Sequence, residues 1–135
     1  MAEEKQLELD AALSQAAHAG DEAEVLRLLD AGANPDYRSD DIFGFTVLIR
    51  AAKENHCGVM RLLAERGANI GGRCNSGWSP AHWSASYGRL EALRLLVQLG
   101  ADVSKRTGEG WTAMDVAKQK NKAQVVDYLA SLSSP

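Results

Sequence analysis

Sulfur and imidazole are scarce in this chain: two cysteines, Cys57 and Cys74, and three histidines, His18, His56 and His82, among 135 residues. Neither cysteine has a Cys-x-x-Cys neighbour, which excludes a sulfur-built zinc or redox site, and both read as free thiols. His56 adjoins Cys57, yet neighbours on a helix point about 100° apart, and no further ligand stands at a useful spacing. No metal is expected. A run of ~18 apolar residues is also missing, and the opening Met1-Ala2-Glu3-Glu4-Lys5-Gln6 lacks the basic and apolar segments of a secretory leader. A soluble intracellular protein is therefore expected, in the cytoplasm and with the nucleus open as well. Catalytic machinery is absent in the same sense. There is no cofactor fingerprint and no phosphate-cradling Gly-rich loop, and no second titratable group is placed to work with any histidine. The chain reads as a non-enzyme with no cofactor.

Strong charge of one sign is lacking too, since the net charge is only −3. That sum conceals an asymmetry. Residues 1–45 carry 11 acids and 3 bases, net −8, whereas residues 46–135 carry 7 acids and 12 bases, net +5. Such a dipole can steer a partner on approach, although ordinary solvated helix faces would give the same count. The basic half is mild and its charges are scattered, so nucleic acid is not the expected ligand.

What the chain has in abundance is repetition. Gly44-Phe45-Thr46-Val47-Leu48-Ile49-Arg50-Ala51-Ala52 recurs 33 residues later as Gly77-Trp78-Ser79-Pro80-Ala81-His82-Trp83-Ser84-Ala85. It returns after another 33 as Gly110-Trp111-Thr112-Ala113-Met114-Asp115-Val116-Ala117-Lys118. A second phrase keeps the register: Leu28-Leu29-Asp30-Ala31-Gly32-Ala33, Leu62-Leu63-Ala64-Glu65-Arg66-Gly67-Ala68 and Leu95-Leu96-Val97-Gln98-Leu99-Gly100-Ala101. A third marker, Gly20, Asn55, Gly88 and Asn121, uses only residues that tolerate a left-handed backbone, and marks a helix end in each unit. Thr46, Ser79 and Thr112 stand where a hydroxyl caps a helix, with Pro80 at a first helical position. Apolar stripes at i, i+3, i+4 follow: Val25, Leu28, Leu29; Val59, Leu62, Leu63; Leu93, Leu96, Val97; Val125, Tyr128, Leu129. These are the expected core.

The two phrases resemble those of the ankyrin repeat, in which Thr-Pro-Leu-His opens the first helix and Leu-Leu-x-x-Gly-Ala closes the second. The resemblance covers about residues 8 to 131 and implies an all-α solenoid, with β-hairpin turns joining antiparallel helix pairs. One domain, 1–135, follows, with repeats at about 8–40 as N-terminal cap, 41–73, 74–106 and 107–132 as C-terminal cap. The first unit has no turn glycine and begins as a helix, with Glu3, Glu4, Lys5, Glu8 and Asp10 expected on a polar outer face. With both ends capped, a complete small protein is expected. Only the third unit keeps both Pro80 and His82, and His82 is expected to be buried and hydrogen-bonded. Gly32 to Gly44 spans 12 residues where Gly67 to Gly77 and Gly100 to Gly110 span 10, so the first hairpin is longer by two. Insertions of this kind map to loops, often on the binding face.

Function is sought at the variable positions. In ankyrin proteins the residues flanking the turn glycine and the exposed face of each first helix line a concave groove that partners use. Carried onto this chain, those positions hold Phe45, Trp78 and Trp111, with Phe43 before the glycine and Trp83 and Tyr87 on a first helix. The candidate surface thus gathers six of the eight aromatics. The column could instead simply stack on neighbouring hairpins. Arg38, Arg73 and Arg106, six residues beyond each Gly-Ala glycine, form a basic column that joins Arg50 and Lys53 around the aromatic floor. That composition suits a peptide with acidic and apolar side chains, while pairing of the arginines with neighbouring acids is the plainer alternative. A monomeric adaptor or regulator that binds a protein or peptide in the groove is expected. Two other readings stay open. Trp78 and Trp83 resemble in spacing the cage of methyl-lysine-binding ankyrin domains, with Tyr87, Trp111 and Glu109 to complete it. Four-repeat ankyrin proteins also include kinase inhibitors, an analogy of fold alone.

Overall fold

A hydroxyl opens the first helix of each of the three later units. In the computed structural model, which describes residues 2–133, Thr46, Ser79 and Thr112 accept from the backbone N–H groups of Ile49, His82 and Asp115 at 3.0, 3.5 and 3.1 Å. Each cap satisfies one of the four donors that a helix start leaves open. Eight helices result among the described residues: α1 Ala2–Ala19, α2 Glu22–Asp30, α3 Val47–Lys53, α4 Cys57–Glu65, α5 Pro80–Tyr87, α6 Leu90–Gln98, α7 Ala113–Gln119 and α8 Ala123–Leu132. The expected left-handed residues separate each pair, at φ 76° for Gly20, 62° for Asn55, 69° for Gly88 and 58° for Asn121.

The helices form two layers. α1, α3, α5 and α7 stack closely in one, and α2, α4, α6 and α8 more loosely in the other. Side-chain size explains the difference. The first layer buries Ala16, Ala17, Ala51, Ala52, Ala81, Ala85, Ala113 and Ala117, so its backbones approach, while the second buries Val25, Leu28, Val59, Leu63, Leu93, Leu96, Val125 and Leu129. Closer spacing in one layer bends the stack toward it, and its exposed face becomes the concave side. The apolar stripes read from the sequence line the core, with Leu62, Val97 and Tyr128 only half-buried.

Two expectations for the first unit are corrected. α1 starts at Ala2, two turns before the residue-8 boundary. Asp10 does not lie on the polar outer face: it is 5 % exposed and accepts from the Asn34 N–H at 2.7 Å and from the Gln6 side chain at 2.8 Å. Its carboxylate holds the start of the first hairpin against α1.

Hairpins project between the units. Ser39, Cys74 and Thr107 donate their N–H groups to the carbonyls of Phe45, Trp78 and Trp111 at 2.9, 3.0 and 2.8 Å. The two extra residues of the first hairpin therefore fall at its tip, Asp40 to Gly44. Asp41 organises that tip by accepting from the Phe43 and Gly44 N–H groups at 2.9 and 3.0 Å and from the Ser39 hydroxyl at 3.0 Å.

Candidate functional site

α5 carries Trp83 and Tyr87 at i and i+4, so both project from one helix face. Their rings meet edge-on at 6.1 Å between centroids. Trp83 also meets Trp78 of its own hairpin at 4.8 Å and Phe45 of the preceding hairpin, edge-on, at 5.5 Å. Phe45 stacks on Phe43 at 5.3 Å with their planes 3° apart. Five of the six candidate aromatics thus form one continuous surface with Trp83 at its hub. Among the described residues Trp111 shares in no ring contact with them. It packs half-buried against the core, and its carbonyl accepts from His82 Nε2 at 3.0 Å.

A cation sits in the middle of this surface. The Lys53 ammonium, from the last residue of α3, lies 4.1 Å from the Phe45 ring centre, 4.9 Å from that of Trp83 and 5.5 Å from that of Tyr87. Three rings around one ammonium make a cation–π cage. Arg89 adds its guanidinium 6.0 Å over Tyr87, and its Nε donates to the Lys53 carbonyl at 2.8 Å, which clamps the end of α3. The methyl-lysine cage drawn from Trp78, Trp83, Tyr87 and Trp111 takes a different form. Phe45 stands with Trp83 and Tyr87 in place of Trp78 and Trp111, and the seat holds the chain's own lysine. Glu109 lines a separate shallow cleft with Trp111 and Asp115.

The basic column has a local task. Arg38, Arg73 and Arg106 each donate to the carbonyl of their own turn glycine, Gly44 at 3.3 Å, Gly77 at 3.0 Å and Gly110 at 2.8 Å. Arg73 also donates to the Arg106 carbonyl at 2.6 Å, and Arg38 to Asn75 Oδ1 at 2.6 Å, so successive hairpins are tied together. Among the described residues, only Arg106 of the three approaches an acid, Asp115, at 3.8 Å. Arg50 is half-buried on α3, its Nε has no hydrogen-bond partner among the described residues, and its charge is one of the influences on Asp41. The Gly44 N–H is the main reason that the Asp41 carboxyl lies below the usual carboxylate range, helped by Ser39 and Phe43.

This architecture has a match among protein families. The family model of ankyrin repeats (3 copies) matches residues 13–107 and 74–134. The chain belongs to the ankyrin-repeat family. Ankyrin repeats are in general protein–protein interaction modules without catalysis. Among the described residues no helix is long and apolar enough to cross a membrane.

His82 is the ankyrin histidine of the third unit, and it is structural as expected. It is 1 % exposed, its Nδ1 faces the Ser79 hydroxyl at 2.7 Å, and its Nε2 donates to the carbonyls of Lys105 at 3.1 Å and Trp111. Burial holds its pKa below the ordinary histidine value, against the opposing pull of those two carbonyls. Cys74 is buried as well. Burial raises its pKa, but the Ser76 hydroxyl, the Trp83 indole and the Ser76 and Trp78 N–H groups outweigh this and leave it lowered. The indole itself makes no well-formed hydrogen bond.

Four residues gain importance beyond what the sequence assigned them. Ile42 is 83 % exposed at the tip of the long hairpin, next to Phe43 at 53 %. Asn75 braces that tip. Its Nδ2 donates to the carbonyls of Ile42 at 3.0 Å and Asp41 at 3.3 Å, and its own N–H reaches the Phe43 carbonyl at 2.9 Å. Gly44 turns the chain at φ 62° with its α-carbon against the Asn75 side chain, so a Cβ there would collide with it. Lys53, named from the sequence only as one nearby cation, is the centre of the cage. The signal available for Ile42 was the two-residue insertion; for Asn75 there was none.

Proposed function

We propose that this ankyrin protein acts as a monomeric adaptor or regulator, binding a protein or linear peptide in the cytoplasm or nucleus through the concave aromatic surface. The carrying observation is the convergence of Phe43, Phe45, Trp78, Trp83 and Tyr87, contributed by two successive units, into one ring-on-ring surface bordered by an exposed apolar tip. Rigid aromatics bury a large area at small entropic cost, and clustered rings of this kind are where interface energy concentrates. The tip is held in place by Asp41 and Asn75 before any partner arrives, which lowers the cost of ordering it on binding. In this reading Arg38, Arg73 and Arg106 support the surface through the hairpins they tie together and serve as its rim charges. Trp111 and Arg50 belong to the proposed surface as secondary contacts.

The test is affinity enrichment from the source cell with wild type and an Ile42→Ser/Phe43→Ser variant, each followed by mass spectrometry, after circular dichroism has shown both folded. Both side chains are exposed and, among the described residues, the only ring contact removed is the stack of Phe43 on Phe45, so the substitutions act mainly on contact. Partners lost from the variant, with an affinity drop of about 30-fold for a hot spot worth 2 kcal/mol, support the reading. An unchanged partner list moves the site to the convex face.

A further inference from the structure

The cage around Lys53 is full, and what fills it decides what can bind there. A partner's lysine or methylated lysine would meet a resident ammonium of the same sign. A carboxylate would meet its complement. Among the described residues no carboxylate lies within ion-pair distance of Lys53. Acids of the adjoining segments have other partners: Glu54 faces His18 at 4.0 Å, Glu91 accepts from Asn55 at 3.3 Å, and Asp41 accepts three bonds inside its own loop. Among the described residues the ammonium donates no hydrogen bond, the Tyr87 hydroxyl included, so its capacity to donate is left for a ligand. Half-buried among aromatics, it sits where a charge-assisted bond is worth more than at an open surface. Arg89 beside Tyr87 adds a second positive charge to the same spot.

Resting on the groove reading above, we propose that Lys53 is the anchoring cation for a carboxylate, and that the surface selects short segments with Asp or Glu beside a bulky apolar residue. The carboxylate pairs with the caged ammonium. The apolar neighbour lies on Phe43 and Ile42, which are exposed and join the cage through the stack of Phe43 on Phe45. The cage orients Lys53 and keeps water from one side of it, so an otherwise flexible side chain is fixed before the ligand comes.

A random dodecapeptide display library, selected on the folded protein, reads this directly. Wild type is expected to enrich peptides with Asp or Glu next to an aromatic or branched aliphatic residue. For a selected peptide, Asp→Asn or Glu→Gln should weaken binding tenfold or more on wild type, and by less than threefold on Lys53→Met, whose apolar stem still fills the cage. Enriched peptides without an acid overturn the proposal, as does an acid preference undiminished in Lys53→Met or the absence of any enriched peptide. The groove reading fails separately: peptides that bind the Ile42→Ser/Phe43→Ser variant as well as wild type do not use this surface, whatever their charge.

Discussion

Replacing His82 by leucine isolates the polar work of one buried side chain. The imidazole is tied to Ser79 through Nδ1 and to the carbonyls of Lys105 and Trp111 through Nε2, joining the third unit to the hairpin of the fourth. Leucine fills much of the same volume, so the loss is mainly hydrogen bonds, each worth about 1 kcal/mol net in a buried setting. The Trp111 carbonyl keeps its bond from the Thr107 N–H, which moderates the cost. We expect a loss of about 2–3 kcal/mol, seen as a fall in Tm of about 10 °C for a chain of this size. The second unit supplies an internal control: Ile49, 33 residues earlier, is fully buried in the same helix position without any polar bond.

The same residue carries a pH signature. Its folded pKa is lowered, chiefly by burial, so the unfolded chain takes up a proton that the folded one refuses. The stability due to neutral His82 is therefore fully present above its unfolded pKa of about 6.5, and is lost as pH falls from there through the folded value. Urea denaturation between pH 7.5 and 5 should show wild type losing stability more steeply than His82→Leu, by up to about 1.4 kcal/mol per pH unit. Equal stability of the two proteins, or parallel pH curves, would refute the bridging role.

Three further outcomes follow from the packing. Trp83→Ala removes the hub of three ring contacts and should cost about 3 kcal/mol in thermal denaturation, against less than about 1 for Phe43→Ala at the exposed tip; equal losses would mean that Trp83 is not the hub. Asn75→Ala should cost about 1 kcal/mol and speed amide exchange at Phe43 and Gly44, whereas unchanged exchange would mean that Asp41 holds the tip alone. The Asp115 carboxyl is held below its ordinary range chiefly by the Thr112 N–H, so its contribution is full above pH about 4 and disappears on further acidification; Asp115→Asn should flatten the acid limb of the stability curve.

Much of this molecule was legible because the repeat states each rule three or four times. Thr46, Ser79 and Thr112 cap helices, and Gly20, Asn55, Gly88 and Asn121 end them, because both are local backbone requirements that few residue types meet. Asp10 was misplaced for the opposite reason. A charged residue in a terminal helix is usually solvated, and the return of the chain at Asn34 adds to Gln6 a second donor that lets it be buried. The arginine column was read from its spacing, but its partners, the turn carbonyls, are backbone atoms that no residue code announces.

The site was legible by columns and hidden along diagonals. Aligning the units sets Phe45 with Trp78 and Trp111, which predicts three equivalent rings, yet only the first two join the surface. The reason lies at the next column. Arg50, Trp83 and Val116 are equivalent by period, and only the large flat ring of Trp83 can touch the hairpin of its own unit and that of the unit before it. Val116 gives Trp111 no ring to meet. Lys53 belongs to a third column, with Ser86 and Gln119, and reaches its cage only because Trp83 and Tyr87 stand one unit further along. The working surface is therefore a property of the boundary between the second and third units, where a lysine, a lengthened hairpin and a tryptophan coincide. Exchanging Trp83 and Val116 between their units should move the tryptophan's contacts toward Trp111 and leave Lys53 with two of its three rings, Phe45 and Tyr87, although the set of residues in the chain would be unchanged.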